Sequence, residues 1–418
     1  MSCSGCASLA ICDLMEVKSI TLLGHKDHGK STLIGSLLMQ TGAATKVRIK
    51  EAEEYSKRMG KAFEPAFILD SFAEERTGEM TIDTTRAEIK YKNLAFALID
   101  VPGHEELIKN MISGASYGEV ALLLVSAKKD EGIRDQTKRH LFLSRMFGIE
   151  DLVIAVNKMD TRNFDEGSFL AVKKELSGFI GRIGFDTKRV TFVPISAYSG
   201  ENLVKKSRKM KWYKGEPLIE ALYESARRKK KQGNGALRLL VQGTIDDGAG
   251  IIGGKIVKGH LSAGEKIAIL PQDQHAMVKE IVVKGKKVKK ARVGENVAIT
   301  LDKRMRFEMR GSVISNTDEK PRLTNKIRAK IFVVNKPGKS LCLKFNGIDL
   351  QCSGIKILNS INSVTGEKGP AKAESLNAIE AEIELEQKLP VEEFETTKEL
   401  GRFVLYSGNE FTGIGTIL

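Results

Sequence analysis

The run Gly24-His25-Lys26-Asp27-His28-Gly29-Lys30-Ser31 constrains this chain more than any other, because it has the form G-x-x-x-x-G-K-[ST]. A loop of that kind works only between a strand and a helix. The strand pattern "SITLL" from Ser19 precedes it. The helical pattern Lys30–Gln40 follows, with Leu33, Ile34, Leu37 and Leu38 on one face and Gly42 as a stop. Glycines let backbone N–H groups curl around phosphates at a helix N-terminus. Lys30 supplies a point charge, and the Ser31 hydroxyl can ligate magnesium. Asp27, His28, Gly29 and Thr32 complete the candidate phosphate-binding set.

From Ser19 to about Ala226, apolar runs alternate with segments of helical period. The runs are "LAFALIDV" from Leu94, "VALLLVSA" from Val120, "DLVIAVNK" from Asp151 and "VTFVPIS" from Val190. This alternation predicts an α/β domain with a parallel sheet and helices on both faces. Three further motifs sit at the C-terminal ends of these strands, where open α/β sheets bind ligands. In Asp100-Val101-Pro102-Gly103, Asp100 can hold a magnesium shell and the Gly103 N–H can sense a terminal phosphate. In Asn157-Lys158-Met159-Asp160, the Asp160 carboxylate can accept two N–H groups from a guanine edge, a pair that adenine lacks. Ser196-Ala197 ends the next run and can close the base pocket with backbone contacts. Together the motifs select a guanine nucleotide, GTP or GDP, with Mg2+.

With 418 residues the chain is too long for one ordinary core. The stretch "ARRKKKQGNG" from Ala226 reads as a linker. Beyond it, short alternating strands recur with glycines at turn spacing, which predicts all-β barrels, and Lys320-Pro321 reads as a second boundary. The expected order is an extension at 1–15, a nucleotide-binding domain at 16–228, a linker at 229–236, and barrels at 237–321 and 322–418. No apolar run reaches the roughly 18 residues of a membrane-spanning helix, so no membrane partner is expected. Cys3, Cys6, Cys12, Cys342 and Cys352 are too scattered for a disulfide framework and point to a reducing cytoplasm. The formal charge of +14 favours a polyanionic partner such as RNA, with Lys205 to Lys214 and Lys284 to Lys290 as candidate clusters.

In its phosphate loop "GHKDHGKSTL", its "MTIDTT" from Met80, its "DVPGHEELIKNMISGAS" from Asp100 and its "VPISAYSGENL", the chain resembles the translational GTPases related to elongation factor Tu and elongation factor 1-alpha. The resemblance extends over nearly the whole sequence. The insert between Gly42 and Thr81 looks like the elongation factor 1-alpha branch, and "ARVGENVAI", "RGSVI" and "LGRFVL" resemble that branch and its termination and rescue relatives. The resemblance implies a magnesium role for Thr81 and a water-orienting role for His104. It also implies two β-barrels behind the GTPase domain. As partners it implies the ribosome, a tRNA or tRNA-like protein and a nucleotide exchange factor, the chain being a monomer outside complexes. The layout and "GHEEL" also resemble the GTPase subunit of sulfate adenylyltransferase, a second reading that would tie GTP hydrolysis to sulfate activation.

The sequence departs from the family at Lys26, where a valine is usual, at Met80, where an isoleucine is usual, and in lacking the histidine–threonine stretch after "NKPGKSLCLKFNG". Lys26 is expected to turn inward and make a charge-assisted contact of roughly 1.5–3 kcal/mol with the terminal phosphate of GTP. Lys26→Val should then lower the GTP over GDP affinity ratio about tenfold, which nucleotide titrations of both variants would measure. A ratio and a basal hydrolysis rate both within about threefold of the parent would place the side chain in solvent.

Overall fold

A computed structural model describes residues 16–60, 62–69, 86–100, 120–128, 130–228, 235–245, 250–305, 308–338 and 340–418. They fall in two compact units, one within Met1–Arg228 with Val364–Gly366, the other within Lys229–Ser363 and Glu367–Leu418. Among the described residues no helix is long and apolar enough to cross a membrane.

The first unit is built on a six-stranded sheet. Its strands are β1 (Glu16–Leu23), β2 (Arg86–Tyr91), β3 (Leu94–Asp100), β4 (Val120–Ser126), β5 (Asp151–Asn157) and β6 (Val190–Pro194), in the order β2-β3-β1-β4-β5-β6. All neighbours are parallel except β2, which pairs antiparallel with β3. Every residue of β4 and β5 is buried, as expected of parallel strands covered on both faces. The order reverses around β1, so a crevice opens at the C-terminal ends of β1 and β4.

The helix expected at Lys30–Gln40 forms over those residues as α1, with Leu33, Ile34, Leu37 and Leu38 buried against the sheet. Gly42 follows at φ +73°, the left-handed conformation that ends helices. Helices α2 (Lys46–Arg58), α3 (Asp135–Met146), α4 (Glu166–Arg182) and α5 (Leu218–Arg227) complete the unit. Two elements are additional to the sequence reading. Among its described side chains β2 buries Ala87 and Ile89, and α2 buries only Ala52 and Ser56. Trp212 packs against Phe169 and Tyr213, and its indole N–H donates to the Phe164 carbonyl at 2.8 Å, an anchoring role.

The second unit holds two antiparallel barrels, so the expected architecture of a parallel-sheet domain followed by two β-barrels is the one observed. The first barrel comprises β7 (Arg238–Ile245), β8 (Ile251–Lys258), β9 (His260–Ser262), β10 (Lys266–Leu270), β11 (Gln274–Val283), β12 (Lys286–Val288), β13 (Lys290–Arg292), β14 (Asn296–Leu301) and β15 (Val313–Asn316). Its sheet runs β10-β15-β7-β8-β14-β11-β12, and pairing of β10 with β11 closes it. Two equivalent turns shape it. In Ser262-Ala-Gly-Glu265 and Arg292-Val-Gly-Glu295, the glutamate carboxylate accepts from the backbone N–H three residues earlier, at 2.9 and 2.7 Å, and the glycine has φ +82° or +90°. The second barrel comprises β16 (Arg322–Val333), β17 (Leu341–Phe345), β18 (Ile348–Ile361), β19 (Lys368–Gly369), β20 (Ala378–Val391), β21 (Arg402–Ser407) and β22 (Glu410–Ile417), closed by β17 on β18.

The barrels share a buried ion pair. Arg238 at the start of β7 is 4% exposed, and its guanidinium lies 2.5 Å from Glu392, which follows β20. The same guanidinium donates to the Leu237 and Glu319 carbonyls, each at 2.8 Å. Thr397 donates to the other Glu392 oxygen, and Lys258 lies 3.6 Å from it. Glu392→Ala strands a buried cation, so the variant should lose about 3–5 kcal/mol of stability in denaturant unfolding followed on the β-sheet signal. The double variant Arg238→Met/Glu392→Leu should regain most of that loss, and a single-variant cost below about 1 kcal/mol would show that the pair is effectively solvated.

Candidate nucleotide-binding site

The chain leaves β1 through Gly24 at φ +137°, passing so close to β4 that a Cβ there would lie 2.6 Å from the Leu124 carbonyl oxygen. A 3-10 turn, Lys26–His28, follows. The His28 ring turns inward and is fully buried, with Nδ1 3.0 Å from the Leu124 oxygen. Burial pushes its pKa below the usual histidine value, so the imidazole is neutral at pH 7 and serves as packing under the loop.

Gly29, at φ +88°, is the N-cap of α1, and no side chain caps that helix. A Cβ on Gly29 would lie 2.7 Å from the Asn157 amide nitrogen. The uncapped N–H groups of the first turn therefore face the loop, which is the arrangement that receives an anion. Lys30 is 8% exposed, and its ammonium donates to the Gly24 carbonyl at 2.9 Å and the His25 carbonyl at 3.4 Å, spanning the inside of the curl. Ser31 is exposed and Thr32 half-buried on the first helical turn.

Asn157 ends β5 and is buried. Its amide donates to the His28 carbonyl at 2.8 Å, and its carbonyl accepts from the Ala197 N–H at 2.9 Å. One side chain thus joins the phosphate loop to the loop after β6. Asp160 lies in the next 3-10 turn, where the Ser196 hydroxyl donates to its carboxylate at 2.5 Å and fixes its rotation. Lys158, at φ +62°, pairs with both oxygens of Glu131 at 2.7 Å. The structure therefore brings Gly29, Lys30, Asn157, Asp160, Ser196 and Ala197 into one connected site.

Three supporting residues were not anticipated. Ser36 of α1 donates to the Ala197 carbonyl at 2.5 Å, Gln40 one turn on donates to the Gly200 carbonyl at 2.8 Å, and Asn202 donates to the Pro194 carbonyl at 2.9 Å. The i, i+4 spacing of Ser36 and Gln40 on a helix with an apolar face was the available signal.

Asp100 ends β3, where its backbone lies beside Leu22 in the parallel register, two residues before Gly24. Its side chain lies outside the described residues, as do Thr81, Gly103, His104, Met80, Cys3, Cys6 and Cys12, and the Lys26 side chain. The cradle fits a nucleoside phosphate, since two positions exclude a Cβ, the helix N-terminus is uncapped and an ammonium is buried at the centre. The hydroxyl of Ser31 on the first helical turn is a hard oxygen donor of the kind that suits magnesium.

Comparison with known proteins gives matches along both units. The model described as "Elongation factor Tu GTP binding domain" matches residues 15–228, and "GTP-eEF1A C-terminal domain-like" matches residues 326–418. Elongation factor 1-alpha of Aeropyrum pernix is 34% identical over 418 residues, covering 96% of this chain and 95% of that protein. Elongation factor 1-alpha of Methanothermobacter thermautotrophicus is 32% identical over 401 residues, covering 93% and 94%. A crystal structure of Sup35 complexed with GDP covers 97% of this chain and 94% of its own at 24% identity, with a TM-score of 0.42, too loose an overlap to bear on function.

Asp160 is the residue expected to read a guanine edge, and a mismatched polar edge costs roughly 2–5 kcal/mol. Asp160→Asn should therefore weaken GTP binding at least about 30-fold and move preference toward xanthine nucleotides, as competition titrations would record. GTP affinity unchanged in that variant would remove Asp160 from base recognition.

Proposed function

The chain belongs to the elongation factor Tu and elongation factor 1-alpha family of translational GTPases, and on that premise we propose that it works with the ribosome and a tRNA or tRNA-like protein. It is a GTPase of the elongation factor 1-alpha kind. The observation that carries the reading is the junction at Asn157, which joins the phosphate loop to the loop that holds Ser196 and Ala197. The sulfate-activating subunit is not favoured, because the elongation factors match nearly the full length of both chains.

In the proposed site, the N–H groups of Gly29, Lys30, Ser31 and Thr32 hold the phosphates with help from the Lys30 ammonium and the loop at Asp27 and His28. Asp160 reads the base, held by Ser196, while Lys158 and Ala197 line it. Ser31, Thr81 and Asp100 would hold Mg2+, which when bound neutralises phosphate charge. The Gly103 N–H senses the terminal phosphate, and His104 orients the attacking water. Most catalysis of phosphoryl transfer is positioning and electrostatics, so the buried Lys30 and the uncapped helix contribute by being fixed before the substrate arrives.

The proposed domain limits are 16–228, 237–321 and 322–418, with an extension at 1–15 and a linker at 229–236. The setting is the cytoplasm, the chain is a monomer outside complexes, and an exchange factor renews GTP. The absent histidine–threonine stretch weighs against ordinary aminoacyl-tRNA as the cargo.

A water-orienting residue acts in the transition state and not in ground-state binding. His104→Ala should keep GTP affinity within about twofold while ribosome-stimulated turnover falls by roughly 10²–10⁴-fold, measured as phosphate release with and without ribosomes. Full stimulation in the variant would assign the water to another residue.

A further inference from the structure

The hairpin formed by β11 and β12, with β13 beyond it, concentrates positive charge without matching acids. Between residues 279 and 294 there are seven basic side chains and one carboxylate, Glu280. Lys287 pairs with Glu280 at 2.7 Å. Lys279, Lys284, Lys286, Lys289, Lys290 and Arg292 are all exposed, and none of them forms an ion pair among the described residues. Glu295 lies next along the chain, and its carboxylate is engaged by the Arg292 backbone N–H.

The backbone fixes where these cations stand. Val283 pairs with Lys286, so Lys284 and Gly285 form a two-residue turn with φ +48° and +74°, the mirror-image turn that suits a twisted hairpin. Lys279 sits at a register shift between β11 and β14, where the ladder breaks between Val278 and Glu280 and leaves Lys279 and Glu280 both outward. In β13 the pattern is exposed, buried, exposed, so Lys290 and Arg292 share the outer face while Ala291 is buried. Alternate residues on a strand stand about 7 Å apart, the scale on which successive phosphates follow along a nucleic-acid strand.

Edge protection accounts for part of this charge and not the rest. β12 is the edge of its sheet, and lysines blunt an exposed edge, which suffices for Lys286 and Lys287. Lys284 is at the tip, and Lys290 and Arg292 lie on β13, whose partner is β9 in a separate two-stranded sheet. Repulsion among so many unpaired cations disfavours the folded hairpin, and an anionic partner relieves it.

We propose that this ridge on the first barrel binds the phosphate backbone of structured RNA, through Lys284, Lys286, Lys289, Lys290 and Arg292, without reading base sequence. The ridge carries no aromatic side chain between residues 279 and 294, so it offers no platform for stacking unpaired bases. The choice of RNA among polyanions rests on the translational reading above. The ridge belongs to the second unit and the nucleotide site to the first, and the two are tested separately.

The full-length chain is titrated with a mixed-sequence RNA duplex at several salt concentrations between about 0.05 and 0.2 M, where phosphate contacts dominate the salt dependence. The ridge variant is Lys284→Asn/Lys286→Gln/Lys289→Gln/Lys290→Gln, the asparagine retaining the turn. A control variant loses the same charge at dispersed exposed lysines of the other unit, Lys50→Gln/Lys57→Gln/Lys174→Gln/Lys188→Gln. The ridge variant should bind RNA at least about tenfold more weakly, with the slope of log affinity against log salt smaller by about 3, while the dispersed variant changes by less than about threefold. Lys286→Arg/Lys290→Arg should bind as the parent does. Equal losses in the ridge and dispersed variants, unchanged RNA affinity, or tighter binding to phosphatidylserine vesicles than to RNA would each overturn the proposal. GTP affinity is measured on the same preparations. Failure of the parent to bind GTP would count against the nucleotide site and leave the RNA result to be judged on its own.

Discussion

Two hydrogen bonds from one buried carboxamide, Asn157 to the His28 carbonyl and Ala197 N–H to Asn157, set the spacing on which the nucleotide site depends. The loops they join leave β1 and β6, which are separated in the sheet by β4 and β5. Three strand intervals amount to about 14 Å, too far for direct contact between the loops. Asn157 stands at the end of β5, between them, and reaches both ways. Ser36 and Gln40 repeat the junction from α1, so the phosphate loop and its helix are tied to the loop after β6 by side chains from two elements. The close approach has a backbone consequence at Gly29. Any side chain at that position would collide with the Asn157 amide, even before the cost of its left-handed φ.

That junction also explains which parts of the site were legible in the sequence. Lys30, Asn157 and Asp160 follow from motif chemistry, because few residue types can do what phosphate and guanine require at those positions. Ser36, Gln40 and Asn202 did not stand out, since each donates to a backbone carbonyl, and many polar residues could do so. The same division holds for the fold. β4 and β5 are buried on both faces, so their first residues, Val120 and Asp151, could be read from the sequence, and their last lie one residue short of the runs. β2 alternates Ala87, Ile89 and Tyr91 with Glu88 and Lys90, a period-two signal present in the sequence but only five residues long. α2 buries only Ala52 and Ser56, so its apolar face is narrow. Asp100 could be placed by register alone, because parallel pairing with Leu22 carries the end of β3 to the base of the phosphate loop.

The second unit solves a different problem, that of holding two closed barrels to one another. A closed barrel has no edge to share, and its inward side chains are already committed to its own core. Leu240 of β7 is an exception, for it packs into the core of the second barrel together with Val313 of β15. Beside it, Arg238 and Glu392 are removed from water, and the carbonyls of Leu237 and Glu319 take the remaining guanidinium donors. A buried pair gains little over well-packed apolar groups, yet it is unforgiving of misalignment. Its contribution is orientation, with Arg238 on the first strand of one barrel and Glu392 at the end of a long strand of the other.

Net charge alone says little about where a polyanion would bind, and the second barrel shows why. Its strand β20 carries exposed Glu382 and Glu384 and a buried Glu380, flanked in register by Arg328, Lys326 and Lys330 of β16 respectively, with Lys356 of β18 opposite Glu382. Lys326 pairs with Glu384 at 3.1 Å, and Arg328 and Lys368 approach Glu380 at 3.4 and 3.5 Å. Those basic residues count toward the formal +14 but are matched locally by acids across the ladder. The β11–β12 hairpin and β13 carry a comparable number of cations and one acid, so the same composition produces a neutralised face on one barrel and an unneutralised ridge on the other. Field strength at a surface depends on such local imbalance and is screened beyond about 8–10 Å at physiological salt. An RNA approaching this protein would therefore meet an attractive field at the ridge and little at the ladder. Register, which decides whether a lysine faces a glutamate or solvent, converts a bulk excess of charge into a place.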